Sequence, residues 1–423
     1  MIGRGIGSVV ETRGAMLIAK LPLARVGAGV RICARDGHRL GGEIVGLGRV
    51  GVTIAPFGDL RGVAHGDPVA LEPRELDVVL GYAALGRAID ATGAPFDGGA
   101  PLVGTRVRTG GMAPLPAERA AVNEPFWSGV RAIDGLLTIG RGARIGLFGA
   151  PGAGKSTLLE SIARGSNGDA VVIALVGERG REAAAWLARL DERTTIVCAT
   201  SDRSAAERIR AAEVAMAHAT VLRARGLHVV LIVDSLARYA GALRELRVAN
   251  GEPVGRGGYP PGVFSDLARF LERAGNERGG SITMVATVLV DGADEREPVA
   301  DAARAILDGH VVLSSELAHR GHHPAIDVLS SASRTMNDVV RKTHAESAVR
   351  VRRALARLDE TRDLRTLGLT TESDVELTQA IAAASAIEDF LVQRSELATQ
   401  PAQTVASLER LATRLEAASH AAE

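Results

Sequence analysis

Lysine is nearly missing from this chain of 423 residues: only Lys20, Lys155 and Lys342 occur, and every other basic residue apart from histidine is Arg. That bias makes Lys155 stand out. Cysteine is scarce too. Cys33 and Cys198 lie in apolar, strand-like runs ("VRIC", "TTIVCAT") and supply no disulfide framework, which suits a reducing cytoplasm. No stretch approaches the ~18 consecutive apolar residues of a membrane span. The opening "MIGRGIGSVVETRG" lacks the charged-then-apolar layout of a signal peptide. Charge of one sign is missing as well, because 50 basic residues face 50 acidic ones. A nucleic-acid binder must neutralise phosphates and usually keeps a basic excess, so the balance argues against that class.

What is present falls into three zones. Residues 1–75 hold short β-type runs between Gly-rich turns, with Val50, Val52 and Ile54 alternating as in a half-buried strand. This texture predicts a small β-barrel. Loop-like segments follow ("DATGAPFDGGAPLVG", "MAPLPAERAAVNEP"), and order resumes near 127. From 144 to about 330, apolar runs such as "RIGLF", "AVVIALV" and "HVVLIVD" alternate with helical stretches. The pattern is that of an α/β domain whose mainly parallel sheet is covered on both faces. Beyond about 345 the β signal ends. Val351, Leu355 and Leu358, then Ile381, Ala384, Ile387 and Leu391, then Val405, Leu408, Leu411, Ala412 and Leu415 recur at helical spacing. The boundaries drawn are 1–75 for the barrel, 76–345 for the α/β domain and 346–423 for a C-terminal helical domain, whose last helix offers a possible seam for a partner.

One motif carries chemistry unaided. "GAPGAGKST" comprises Gly149, Ala150, Pro151, Gly152, Ala153, Gly154, Lys155, Ser156 and Thr157, and fits G-x-x-x-x-G-K-[ST] between a strand and a helix. The glycines let backbone N–H groups curl around phosphate oxygens, and the helix adds its positive end. Lys155 reaches the β- and γ-phosphates, and the Ser156 hydroxyl ligates Mg²⁺. Two further carboxylates stand at strand ends. Asp234 closes "HVVLIVD", where it either holds Mg²⁺ through water or caps the next helix. Glu178 in "LVGERGRE" sits at the sheet's carboxyl edge, where ligands bind in open α/β folds. It either polarises an attacking water or is a surface capping carboxylate.

The longer stretches "GVRAIDGLLTIGRGARIGLFGAPGAGKSTLL", "GEPVGRGGYPPGVFSDLARFLERAG" and "ADAARAILDGHVVLSSELAHRGHHPAIDVLSSASR" together resemble the type III secretion ATPases. That family drives flagellar and injectisome protein export and is related to the catalytic subunit of rotary ATP synthases. The resemblance implies a homohexamer with an N-terminal β-barrel, a RecA-like P-loop core and a helical C-terminal domain, with ATP as substrate and Mg²⁺ as cofactor. It assigns Glu178 to water activation, Arg179 to phosphate sensing, Asp234 to the metal and Arg334 to an arginine finger offered to the neighbouring subunit. Arg238 lies one helical turn past Asp234, and the loop with Arg256 and Tyr259 resembles a segment facing a central channel. Implied partners are a coiled-coil central stalk, a stator-like regulator, chaperone–substrate complexes and a membrane export gate. Implied too is a cytoplasmic location, peripheral at the inner membrane face of the secretion apparatus.

Four departures from the family pattern accompany the likeness. His323 replaces the usual Tyr against adenine, Ser315 stands where Arg is frequent, and Glu297 precedes Pro298 in place of Asp. The chain also begins almost at the first barrel strand, without the leader many flagellar members carry, which together with the "APGAGKSTLL" wording favours an injectisome enzyme. Two other classes share parts of this pattern. A non-catalytic ring subunit generally has Gln at the position of Glu178. An RNA-driven translocase should carry aromatics on its barrel for stacking bases, where residues 1–85 hold only Phe57 and Tyr82.

Overall fold

The computed structural model describes residues 5–290, 297–363 and 374–420. Six strands form the N-terminal unit: β1 (Ile6–Arg13), β2 (Met16–Lys20), β3 (Gly29–Cys33), β4 (Arg39–Leu47), β5 (Val52–Phe57) and β6 (Pro68–Leu71). They close into a barrel in the order β1-β2-β5-β4-β3-β6. Alternation decides which side chains turn inward: Leu17, Val30, Ile32, Ile44, Ile54 and Val69 are fully buried and fill its centre. Val50 was expected in that alternation. It lies instead in the turn before β5 and is 56% exposed. The segment "GLGRVG" turns there, and Gly48 N donates to Gly51 O across the turn.

The central unit is built on a nine-stranded sheet. Its strands are β7 (Ala88–Asp90), β8 (Arg144–Gly149), β9 (Ala170–Val176), β10 (Thr194–Ala199), β11 (His228–Asp234), β12 (Gly275–Glu277), β13 (Gly280–Leu289), β14 (Gly309–Leu313) and β15 (Ile326–Ser333). The order is β15-β14-β8-β13-β11-β9-β10-β7, with β12 paired to β13. From β14 to β7 neighbours run parallel, whereas β15 on β14 and β12 on β13 are antiparallel. β9 and β11 are buried at every residue, as strands sandwiched between helix layers must be. Each fully buried Val or Ile there contributes roughly 1.5–3 kcal/mol. The edge strand β7 ends at Asp90, where the first segment read as loop begins, and its three residues are too few to register as a periodic run.

The helices are α1 (Lys155–Gly165), α2 (Gly180–Leu187), α3 (Ala205–Arg223), α4 (Leu236–Ala249), α5 (Pro261–Leu271) and α6 (Pro298–Ile306). In α3, Ala211, Ala212, Ala215 and Ala219 are fully buried, and such small side chains let the helix lie close on the sheet. A capping box starts it: Ser204 Oγ accepts from Glu207 N, and Glu207 Oε2 accepts from Ser204 N. Glu297 caps α6 by accepting from Ala300 N at 2.7 Å.

Towards the C-terminus, the longest helices among the described residues are α7 (Lys342–Glu360), α8 (Val375–Leu391) and α9 (Pro401–His420). Val351, Ile387, Leu391, Leu408 and Leu411 pack inward as the periodicity predicts. Two positions differ. Ile381 is 44% exposed while Leu377, Ala380, Ala383 and Phe390 form the buried face, and Thr404 is fully buried while Val405 is only partly so. A stripe of small apolar residues covers most of α8, so sequence alone cannot say which side faces in. Among the described residues no helix is long and apolar enough to cross a membrane.

Candidate active site

β8 ends at Gly149 between β13 and β14, opposite Leu289 on one side and Leu313 on the other. A Cβ on Gly149 would sit 3.1 Å from Leu313 Cβ, so packing keeps that position small. Gly152 and Gly154 face no such crowding. Their φ values of 83° and 93° are left-handed, which side chains rarely tolerate. Helix α1 then starts at Lys155, whose Nζ donates to Gly149 O and Ala150 O at 2.7 Å each. Ser156 and Thr157 are exposed on the first turn, where the helix's positive end and free N–H groups favour an anion.

Asp234 terminates β11 two strands away and is buried. Its Oδ1 accepts from Thr287 Oγ1 at 2.6 Å. Burial pushes its pKa up, and the Thr287 hydroxyl and the cations of Arg238 and Lys155 push the other way. The capping alternative for Asp234 is taken by its neighbour: Ser235 Oγ accepts from Arg238 N and caps α4.

Glu178 follows β9 and is 5% exposed, so it is no surface cap. Arg238 Nη1 lies 2.6 Å from Glu178 Oε2 and donates to Gly177 O at 2.5 Å. Burial, a hydrogen bond shared with Glu182 and the nearby Asp234 charge raise the Glu178 pKa to about 8, against the Arg238 cation. Glu182 is held down by that same hydrogen bond. Glu178, Glu182, Asp234, Arg238 and Lys155 thus form one electrostatic unit. Arg179 is exposed at the N-cap of α2. Sequence reasoning missed Glu182 and Thr287. The signals were there: Glu182 is one helical turn from Glu178, and Thr287 interrupts an otherwise apolar run beside the phosphate-loop strand.

His323 is exposed in the turn before β15, and its carbonyl accepts from Gln393 N at 2.8 Å. Because Leu313 pairs with both Gly149 and Ile326, that turn lies on the same sheet edge as the phosphate loop. Arg334 is elsewhere. It follows Ser333, which pairs with Gly309, and its N–H donates to Asp308 O, at the opposite end of β14. Roughly 15 Å of strand, at ~3.3 Å per residue, separates it from Gly149 in its own chain. Its side chain is exposed, and among the described residues no carboxylate pairs with it. The nearby Arg144, by contrast, is paired with Asp308 and Glu272. The loop with Arg256 and Tyr259 lies between α4 and α5; Arg256 pairs with Asp301 and Arg244 covers the Tyr259 ring.

Residues 129–333 match the ATP synthase alpha/beta family nucleotide-binding domain, and residues 340–410 match the C-terminal domain of the type III secretion ATPase EscN. A type 3 secretion system ATPase of Xanthomonas euvesicatoria is 44% identical over 403 residues, spanning 93% of this chain and 91% of that protein. The chain belongs to the type III secretion ATPases. It is an ATPase with the barrel, nucleotide-binding core and C-terminal helices of that family. The assembled EscN of enteropathogenic E. coli superposes with a TM-score of 0.90 at 38% identity, covering 96% of this chain and 100% of EscN. EscN in complex with its central stalk EscO gives 0.89. A flagellum-specific ATP synthase of Treponema pallidum is 43% identical, spanning 96% of this chain and 93% of that protein.

Proposed function

We propose that this ATPase works as a Mg²⁺-dependent homohexamer at the cytoplasmic base of an injectisome, releasing chaperones and helping to unfold export substrates. The observation that carries the catalytic part is the convergence of Lys155, Asp234 and the Arg238-held Glu178 on one sheet edge. Lys155 and the α1 N-terminus bind the phosphates. Glu178, once ionised, orients the attacking water and takes its proton, while Arg334 of an adjacent copy meets charge developing on the γ-phosphate. Arg179 senses the phosphate at the mouth of α2, and His323 lies against the base.

Ser156 and Asp234 would hold Mg²⁺. A hydroxyl and a carboxylate, completed by phosphate oxygens, make the all-oxygen donor set a hard cation prefers, and among the described residues there is no competing His/Cys/Asp/Glu cluster. The metal would supply charge neutralisation on the phosphate oxygens. Support for the ring and a coiled-coil stalk comes from the assembled EscN and its EscO complex. A stator-like regulator, chaperone–substrate complexes and the membrane export gate complete the proposed partners.

Chaperone-dependent export by a strain lacking the gene, restored by wild type but not by Glu178→Gln, tests the reading. The flagellar reading is favoured by the Treponema relative, whose identity is within one percentage point of the Xanthomonas one. Co-purification of flagellar export components in place of injectisome ones would decide for it.

A further inference from the structure

The turn at residues 392–399, between α8 and α9, touches both walls of the nucleotide site. On one side Ser395 O accepts from Ser161 Oγ at 3.0 Å and from Arg164 Nη2 at 3.1 Å, both on the phosphate helix α1. On the other side Gln393 N donates to His323 O at 2.8 Å, and His322 Nδ1 lies 2.8 Å from Glu388 Oε1 on α8. Residues 129–131 close the third side. Arg131 donates to the carbonyls of Asp389, Phe390 and Val392 at the end of α8.

Gln393 stands at the centre and is 8% exposed. Its Nε2 donates to Gly129 O at 2.7 Å and to Leu397 O at 2.6 Å, and its Oε1 accepts from Arg131 N at 2.9 Å. Two carbonyl acceptors and one N–H donor fix the amide's orientation and use both of its protons. No other side chain of that length both donates twice and accepts once. The backbone packing around it is tight. A Cβ on Gly129 would meet Gly165 Cα at 3.0 Å and Ala398 Cβ at 3.1 Å, so the end of α1 rests directly on the turn. Helix α1 spans 11 residues, ~16 Å as a rigid rod, so its seating at Gly165 governs where Lys155 lies at the other end.

We propose that Gln393 is a positioning residue for the ATPase reaction, pinning the 392–399 turn between the phosphate helix and the His323 turn so that the two walls keep one spacing. This rests on reading the phosphate loop and His323 as those walls. Loosening the pin leaves Lys155 and Glu178 intact but lets the walls drift, so affinity falls more than the chemical step. Because binding couplings are reciprocal, a partner that tilts α8 or α9 would alter ATP affinity through the same turn.

The test is ATP hydrolysis and fluorescent ATP-analogue binding by the full-length protein and its Gln393→Ala and Gln393→Met variants, with thermal melting alongside. The expected result is a KM for ATP about tenfold higher in both, matched by the analogue Kd, with kcat changed much less; that is the size of losing one or two net hydrogen bonds. Met fills the same volume without donors or acceptors, so wild-type KM in Gln393→Met would overturn the role of the amide. Lowered melting with KM within twofold in both variants would also overturn it, leaving the turn a mere staple of the helical domain. Should both variants fail to fold, Ser161→Ala on the half-buried face of α1 replaces them. A two- to threefold rise in KM at unchanged melting supports the proposal, and an unchanged KM overturns it. Wild-type protein that does not bind ATP would overturn the underlying nucleotide-site reading as well, whereas ordinary wild-type kinetics with unaltered variants would sink only the pin.

Discussion

At the carboxyl end of the central sheet, Lys155 and Arg238 lie close enough to Glu178, Glu182 and Asp234 to act on the protonation of these carboxylates. At the amino end the charged groups are of another kind. Arg144 and Arg119 are tied to Asp308 and Glu272 in paired, structural contacts, and beside them Arg334 extends into solvent with no such partner among the described residues. One end is a preorganised but incomplete cradle. The other offers Arg334, a cation that its own chain cannot deliver to that cradle, because the length of the sheet stands between. Under the proposed function, the amino end of one copy would have to meet the carboxyl end of the next for Arg334 to reach a nucleotide. The strand register that separates the two ends is what ties that proposal to assembly.

The strongest way to break this comparison is to remove the cation. Arg334→Ala should lower turnover by about 10³-fold or more, the lower bound for arginine fingers in well-studied nucleotide hydrolases. Mixing it with inactive Lys155→Ala should restore part of the activity, since mixed rings contain interfaces with an intact cradle and an intact finger. No rescue in confirmed mixed rings, or specific activity that is flat on dilution below the assembly range, would place Arg334 outside the reaction.

Next in size is the cradle's carboxylate. Glu178→Gln should reduce turnover at least ~100-fold while nucleotide binding stays within a few-fold, and Lys155→Ala should weaken binding itself. Near-normal hydrolysis in Glu178→Gln would falsify the water-activating role.

The proton inventory sharpens the contrast further. Because burial raises the Glu178 pKa to about 8, the group is mostly protonated below that pH and gains its working form as pH rises through it. The kcat/KM profile should therefore climb through about pH 8 and level off above, with no such limb in Glu178→Gln. The Arg238 cation favours the ionised form, so Arg238→Ala should move the limb to higher pH. A limb that stays put, or moves down, would mean that the 2.6 Å pairing does not govern this titration.

The smallest expected effect is at His323. Restoring a larger aromatic with His323→Tyr should tighten ATP binding by about 1 kcal/mol, the usual size of an aromatic contact. Its exposed side chain and backbone bond to Gln393 leave the ring available for a base. Unchanged affinity for both ATP and GTP would show that the position contributes only through its backbone.

Much of this was written in contiguous residues. The phosphate loop needs left-handed glycines, a lysine and a helix start in fixed succession, so Gly152, Gly154 and Lys155 announce themselves without any fold. Continuous apolar runs such as Ala170–Val176, short and bounded by turn residues, read as strands buried on both faces, and the helical zone after β15 followed from period alone. The side of α8 that faces inward was not legible, because apolar and small residues nearly encircle it and only packing against α7 and α9 selects Ala380 over Ile381. Short elements escaped for a related reason: three residues of β7 carry no periodicity until Ile196–Cys198 offers them a ladder.

Only the tertiary structure could decide the rest of the site. Sequence marked Glu178 and Asp234 as carboxylates at strand ends, each with a plain capping alternative; burial, Thr287 and Ser235 removed those alternatives by placing one group in the dry interior and giving the cap to another residue. Arg238 and Gln393 act through partners 61 and 264 positions away, and no local pattern encodes such a distance. Sequence fixes what short-range physics can read, namely φ preferences, periodicity and strand-then-helix order. Which charges share a proton, and which end of the sheet each reaches, depends on register between strands far apart in the chain, and that is set only when the core packs.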